Sequence, residues 1–129
     1  MGRIKKINGY RSGFENTLGT QLKESKTKFT YETTVIPYTK PETHHTYTVD
    51  FTLPNGILIE AKGRWVMEDR KKHMLIRAQH PELDIRFVFM NPNGKIRKGS
   101  KTTYADFCDK HGILWSSKTI PLQWLKSKK

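Results

Sequence analysis

Apolar residues recur along this chain at two spacings, four and two. In SGFENTLGTQLKESK, Phe14, Leu18 and Leu22 stand four apart, which predicts one buried face of a helix beginning at Ser12, with Gly19 as its weak point. KFTYETTVIPY then alternates Phe29, Tyr31, Thr33 and Val35 as a half-buried strand would, and Pro37 and Pro41 interrupt the pattern beyond it. MEDRKKHMLIRAQH, residues 67–80, carries acidic residues early, basic ones later and Pro81 beyond, a helix of about three turns. DIRFVFM, 84–90, reads as a buried strand, NPNGKIRKGS as a polar basic loop, and TTYADFCDKHG as a short helix ending at Gly112. The final segment holds Trp115 and Trp124, expected in the core or at a docking surface, ahead of a basic tail. Residues 1–11 show no apolar period and read as a flexible basic arm. TKPETH, 39–44, reads as a stiff, extended connector rather than a tight turn.

The most informative stretch is HTYTVDFTLPNGILIEAKGRW, residues 45–65. Along 46–53, Tyr47, Val49, Phe51 and Leu53 share a face; along 57–62, Ile57, Ile59 and Ala61 oppose Leu58, Glu60 and Lys62. The apolar faces coincide only with a three-residue loop, Pro54-Asn55-Gly56, which pairs Phe51 with Ile59 and sets Asp50 opposite Glu60. A two-residue Asn-Gly turn would place Asp50 against Ala61 and split the apolar face.

The chain of 129 residues is the size of one domain, residues 1–129, and no apolar run approaches the roughly 20 residues of a membrane-spanning helix. The N-terminus lacks the apolar core and cleavage site of a secretory signal, so the cytoplasm is the expected location. Cys108 is alone, which excludes an internal disulfide and points to a small buried side chain. Twenty-four Lys and Arg against twelve Asp and Glu give a net charge of +12, favouring a polyanionic partner, nucleic acid first.

Two opposed carboxylates repel unless something neutralises them, and a divalent cation such as Mg²⁺ would. Lys62 points the same way, within reach of an attacking water or a phosphate. Aspartate, glutamate and lysine around a metal suit phosphodiester hydrolysis. The plainer alternative is a solvated strand face on which Lys62 forms ion pairs with Asp50 and Glu60. Glu15 closes an S-x-x-E pattern with Ser12, so on residues alone it caps the first helix.

Asp50, a ten-residue gap, then Glu60-Ala61-Lys62 resembles the PD-(D/E)XK nuclease motif. The longer runs RSGFE, HTYTVDFTLPNGI, EAKG, DRKKHMLIRAQHPELDIRFVF and SKTTYADFCDKHGI resemble the phage endonuclease I family of Holliday-junction resolving enzymes over nearly the whole chain. That resemblance implies an α/β fold of α+β type: a mixed β-sheet flanked by helices, with a restriction-endonuclease-like nuclease core. It implies four catalytic positions at Glu15, Asp50, Glu60 and Lys62. Asp50 would bridge two ions, Mg²⁺ or Mn²⁺; Glu60 and the Ala61 carbonyl would complete one site, Glu15 the other, and Lys62 would orient or activate the water.

It further implies an intertwined homodimer. Residues 12–38 would pack on the partner chain, 39–44 would form the bridge, 45–129 the main nuclease segment, and Glu15 would act in trans. The substrate would be branched DNA, especially four-way junctions, cut to 5′-phosphate and 3′-hydroxyl ends. Two departures stand out: Val49-Asp50 replaces the family's Pro-Asp, and both ends are shorter, which would weaken junction affinity. Arg64, Arg70, Lys71, Lys72, Arg77, Lys95, Arg97 and Lys98 are candidate phosphate contacts. His44, His45 and His73 lie near the motifs, but a metal can activate water unaided, so no histidine base is expected. Within enzymes the alternative is a related nuclease acting on mismatched or duplex DNA. From another class it is a nonenzymatic basic DNA-binding module.

Overall fold

A computed structural model describes residues 8–40 and 43–126; most of the basic arm, two residues of the 39–44 connector and the end of the basic tail lie outside it. In chain order the elements are α1 (Gly13–Glu24), β1 (Thr30–Tyr31), β2 (Val35–Lys40), β3 (Thr43–Thr48), β4 (Phe51–Thr52) and β5 (Ile57–Lys62). There follow α2 (Met67–Gln79), β6 (Asp84–Phe89), α3 (Tyr104–Lys110), β7 (Trp115–Ser117) and α4 (Leu122–Lys126).

Five strands form a mixed sheet in the order β1-β4-β5-β6-β7, and β2 and β3 form a separate hairpin. β1, β4 and β5 run antiparallel through short links, while β5 to β6 and β6 to β7 are parallel. A parallel pair needs a crossover, and α2 and α3 supply the two required here. Consequently β5 is covered on both faces. Ile57 and Ile59 enter a core with Leu18 and Leu22 of α1 and Trp124 of α4, whereas Leu58 enters one with Trp65, Ile76, Phe87 and Cys108. That double burial explains the unbroken apolar run of β5. Among the described residues, no helix is long and apolar enough to cross a membrane.

The predicted register holds from Phe51 onward: Phe51 pairs with Ile59, Thr52 with Leu58, and Leu53 N–H bonds Ile57 O at 2.9 Å, leaving Pro54, Asn55 and Gly56 as the loop. The ladder does not reach Asp50 and Glu60, because Asp50 is bonded instead by Glu32 N–H and Ala61 N–H. Three expectations change. Residues 46–53 are not one strand, because the ladder breaks at Val49-Asp50. Before the break Tyr47 and Val49 join the Trp65 core; after it Phe51 and Leu53 join the α1 core. The opposite chain breaks at the same place, where residues 32–34 stand against only Val49 and Asp50, a bulge with Glu32 at φ 53. The extra residue turns the following side chains over, so Val35 is exposed and Ile36 and Tyr38 are buried, against the predicted alternation.

The connector expectation also changes. Lys40 faces Thr43 in register, so residues 39–40 and 43–44 belong to paired strands rather than to a spacer between halves. β-branched and aromatic side chains on both sides of the hairpin favour pairing, and Pro37 is tolerated because β2 is an edge strand. Gln79 binds Thr39 through two bonds and His80 binds the Pro37 carbonyl, fastening the hairpin to the end of α2. In this single chain, α1 and β1 therefore pack on their own sheet. Finally, the arm is anchored at its base: Tyr10 is buried against α1 and Tyr31.

Candidate active site

The bulge and the end of β5 bring the acidic side chains together. Asp50 stands just before β4, with its backbone carbonyl bonded by Glu32 N–H at 3.1 Å and its carboxylate accepting from Ala61 N–H at 2.9 Å. Glu15, Glu32 and Asp50 each place a carboxylate oxygen within 4.8 Å of the other two. Asp50 and Glu15 were expected from sequence. Glu32 was not; it lay in what read as a strand, and only the bulge turns it toward Asp50.

Glu15 does two jobs. Its backbone N–H caps onto Ser12 Oγ at 3.0 Å, so the S-x-x-E pattern does start α1, and its carboxylate accepts from Ser12 Oγ at 3.2 Å and Tyr31 Oη at 2.5 Å. The reciprocal bond from a cap's backbone N–H to the third-residue carboxylate is present in α3, between Thr103 and Asp106. In α1 the Glu15 carboxylate is turned toward Asp50 and Glu32.

Glu60 is 4 % exposed and outside the Glu15, Glu32 and Asp50 cluster; Tyr47 Oη donates to one of its oxygens and Lys62 Nζ stands 3.3 Å from the other. Lys62 also pairs with Asp69 in the first turn of α2, and Asp69 pairs with Lys72 at 2.9 Å. Sequence reasoning missed Tyr47 and Asp69 as site residues. Tyr47 read only as a core aromatic, and Asp69 only as an acidic residue near a helix start.

Burial, and then the neighbouring Glu60 charge, push the Asp50 carboxyl up from 3.8 to about 8, against the pull of the Ala61 N–H. Burial also raises Glu60, although Lys62 and the Tyr47 hydroxyl oppose it. Burial works to lower Lys62, but Glu60 and Asp69 outweigh it and hold the ammonium above its ordinary value. The site thus gathers more carboxyl groups than cations: Glu15, Glu32, Asp50, Glu60 and Asp69 stand with Lys62, Lys72 and Arg11, the last 3.9 Å from Glu32. Hard carboxylate oxygens are the donor set that Mg²⁺ or Mn²⁺ takes, so the Glu15, Glu32 and Asp50 cluster fits a divalent metal, while Glu60 stands beside it with its oxygens on Tyr47 and Lys62. Ala61 supplies its N–H to Asp50 and sits at the end of β5, one residue from Glu60.

The basic candidates divide. Arg70 is 6 % exposed, donates to the Trp65 carbonyl at 2.5 Å and lies over the Phe107 ring, so its guanidinium is engaged inside the protein. The packing of its guanidinium on Phe107 of α3 is something charge counting could not reveal. Arg77 donates to Ile85 O at 3.3 Å, and Lys72 is held by Asp69. Arg64, Lys71, Lys95, Arg97 and Lys98 are exposed. His73 is fully buried among Tyr47, Trp65 and Phe87, and burial lowers its pKa to about 3, so it stays neutral. His44 and His45 are exposed on β3.

A family model described as phage endonuclease I matches residues 1–129. The sequence is 52 % identical over 126 residues to "Endonuclease I" of Escherichia phage T7, covering 98 % of this chain and 85 % of that protein. It is 54 % identical over 120 residues to "Endodeoxyribonuclease 1" of Enterobacteria phage T3, covering 93 % of this chain and 79 % of that protein.

Proposed function

The chain belongs to the phage endonuclease I family and is by that membership a deoxyribonuclease, and we propose that it is a Mg²⁺- or Mn²⁺-dependent enzyme that resolves four-way DNA junctions as a homodimer. The observation that carries the metal reading is the convergence of carboxylates on Asp50, whose own carboxyl is driven up to about 8 by burial and Glu60. Glu15 and Asp50 would hold one ion, and Asp50, Glu60 and the Ala61 carbonyl a second. Bound there, the ions would polarise the scissile phosphate and lower the pKa of a water.

The protein's own groups would do the rest. Lys62 Nζ, beside Glu60 at the end of β5, would orient the water for in-line attack on phosphorus. The P–O3′ bond would break, leaving 3′-hydroxyl and 5′-phosphate ends. Exposed Arg64, Lys71, Lys95, Arg97 and Lys98 would contact phosphates and place the strand.

Opening the β2–β3 hairpin would let residues 12–38 make on a second chain the contacts they make here on their own, so that Glu15 enters the partner's site. Two such sites in one dimer would suit the two cuts a junction needs.

The test is cleavage of a four-way junction and of linear duplex by pure protein, with Mg²⁺ and then with Ca²⁺. Cutting of the junction with Mg²⁺ supports the reading. Equal cutting of both substrates favours a related duplex or mismatch nuclease, and tight binding without cutting favours a DNA-binding module. Refolding Glu15→Ala together with Asp50→Ala should restore activity in the mixed dimer; no recovery beyond either parent rules out the trans assignment.

A further inference from the structure

Lys62 carries a positive charge into the end of β5, only 16 % exposed, 3.3 Å from Glu60 and near Asp50. Both carboxylates are the ones a metal requires. An ammonium on a flexible four-carbon stem competes with a divalent cation for the same lone pairs unless something holds it aside. Asp69 is placed to do that. It comes from a different element, the first turn of α2, with one oxygen, Oδ2, on Lys62 Nζ.

Its other oxygen, Oδ1, is fixed independently, 2.9 Å from Lys72 Nζ and 4.0 Å from the buried His73 Nε2. Lys72 in turn lies over the Tyr47 ring at 5.2 Å, and the Tyr47 hydroxyl donates to Glu60. The contacts close a loop through Glu60, Lys62, Asp69, Lys72 and Tyr47, of which Asp69 is the only member that contacts Lys62 without being proposed to bind metal.

We propose that Asp69 is a positioning residue: it shares the Lys62 ammonium with Glu60 and so keeps it from closing fully onto Glu60 and Asp50, leaving those carboxylates able to take a divalent cation while Lys62 stays in reach of the water. The proposal rests on the metal-dependent reading above. It also gives the anionic first turn of α2 a task beyond its favourable place at the helix N-terminus.

The test measures Mn²⁺ binding directly, from the free-ion signal in electron paramagnetic resonance, on the full chain without DNA. Asp69→Asn keeps shape and removes charge. Its Mn²⁺ affinity should fall about ten- to a hundredfold, the range for a lost partner behind a metal ligand. Asp69→Glu should recover most of the loss. In a Lys62→Met background, where no ammonium is left to collapse inward, adding Asp69→Asn should change affinity by less than about threefold. Melting curves of each variant confirm that the compared proteins are folded.

If Asp69→Asn binds Mn²⁺ as the parent does, or weakens it equally with and without Lys62, the positioning role is overturned while the metal site stands. If the parent itself binds no Mn²⁺, or Asp50→Ala binds it undiminished, the metal reading fails and the proposal falls with it.

Discussion

Replacing Asp50 by asparagine should strengthen the metal-free protein at high pH while removing its chemistry. Burial and the Glu60 charge raise the folded-state carboxyl from 3.8 to about 8. A raised folded pKa means that the folded state binds the proton more tightly than the unfolded chain. The stability this contributes is full below about pH 4 and is lost as pH climbs through about 8. A rise of about four, at about 1.4 kcal/mol for each, would be worth roughly 5–6 kcal/mol in a site sealed from water. Asp50 is only partly shielded from solvent, and screening reduces this to about 2 kcal/mol. Asparagine retains an oxygen for the Ala61 N–H, so the comparison isolates charge. Urea unfolding in EDTA should therefore give similar stabilities for parent and Asp50→Asn at about pH 4. A gap of about 2 kcal/mol should open in the variant's favour by about pH 9, or about 5–10 °C in Tm for a chain of this size. Saturating Mg²⁺ should close the gap by stabilising the parent alone, by about 2.7 kcal/mol at a hundredfold excess over Kd. Parallel stability curves for the two proteins across that pH range would refute the reasoning.

Tyr47→Phe keeps the buried ring and deletes the hydroxyl that orients Glu60, so cleavage should drop about tenfold and folding stability by about 1.5–3 kcal/mol, read from single-turnover rates and chemical denaturation. In Gly19→Ala the new Cβ would lie 2.2 Å from the Tyr10 ring and hydroxyl. Displacing that buried ring should outweigh the roughly 1 kcal/mol gained in helix propensity, and denaturation should show a less stable protein, not a more stable one. Junction binding by the catalytically silent Asp50→Ala protein should weaken steeply as salt rises, and Arg97→Ala should lower the slope of log K against log salt by about 1. Arg70→Ala should leave that slope unchanged while lowering Tm, because its guanidinium serves the Trp65 carbonyl.

Much of the fold was legible because each element carried its own period. The four-residue spacing of Phe14, Leu18 and Leu22 located α1, and the parity of Phe51 against Ile59 set the loop at Pro54, Asn55 and Gly56. Alternation fails where the chain inserts a residue. The bulge at Glu32 opposite Val49-Asp50 leaves no mark in an apolar pattern, yet it reverses the faces of β2 and builds the acidic cluster. Gly19 read as a weakness until Tyr10 showed why no side chain fits there. Within the candidate site, Asp50, Glu60 and Lys62 declared themselves as charges in an apolar hairpin. Their supports, Glu32, Tyr47 and Asp69, looked like an ordinary strand residue, a core ring and a helix-start acid. Only three-dimensional placement distinguishes them. The eight basic candidates show the same limit, since charge is visible in sequence but the packing that takes Arg70 out of solution is not.

The central claim is a metal centre on Asp50. Crystals of the protein soaked in Mn²⁺ and measured at the manganese absorption edge test it most directly, because anomalous scattering locates the ion without reference to activity. A peak is expected at about 2.0–2.3 Å from an Asp50 carboxylate oxygen, shared with Glu60 or Glu15 and absent in Asp50→Ala. A fully occupied Mn²⁺ elsewhere on the chain, with no density at Asp50, would contradict the claim.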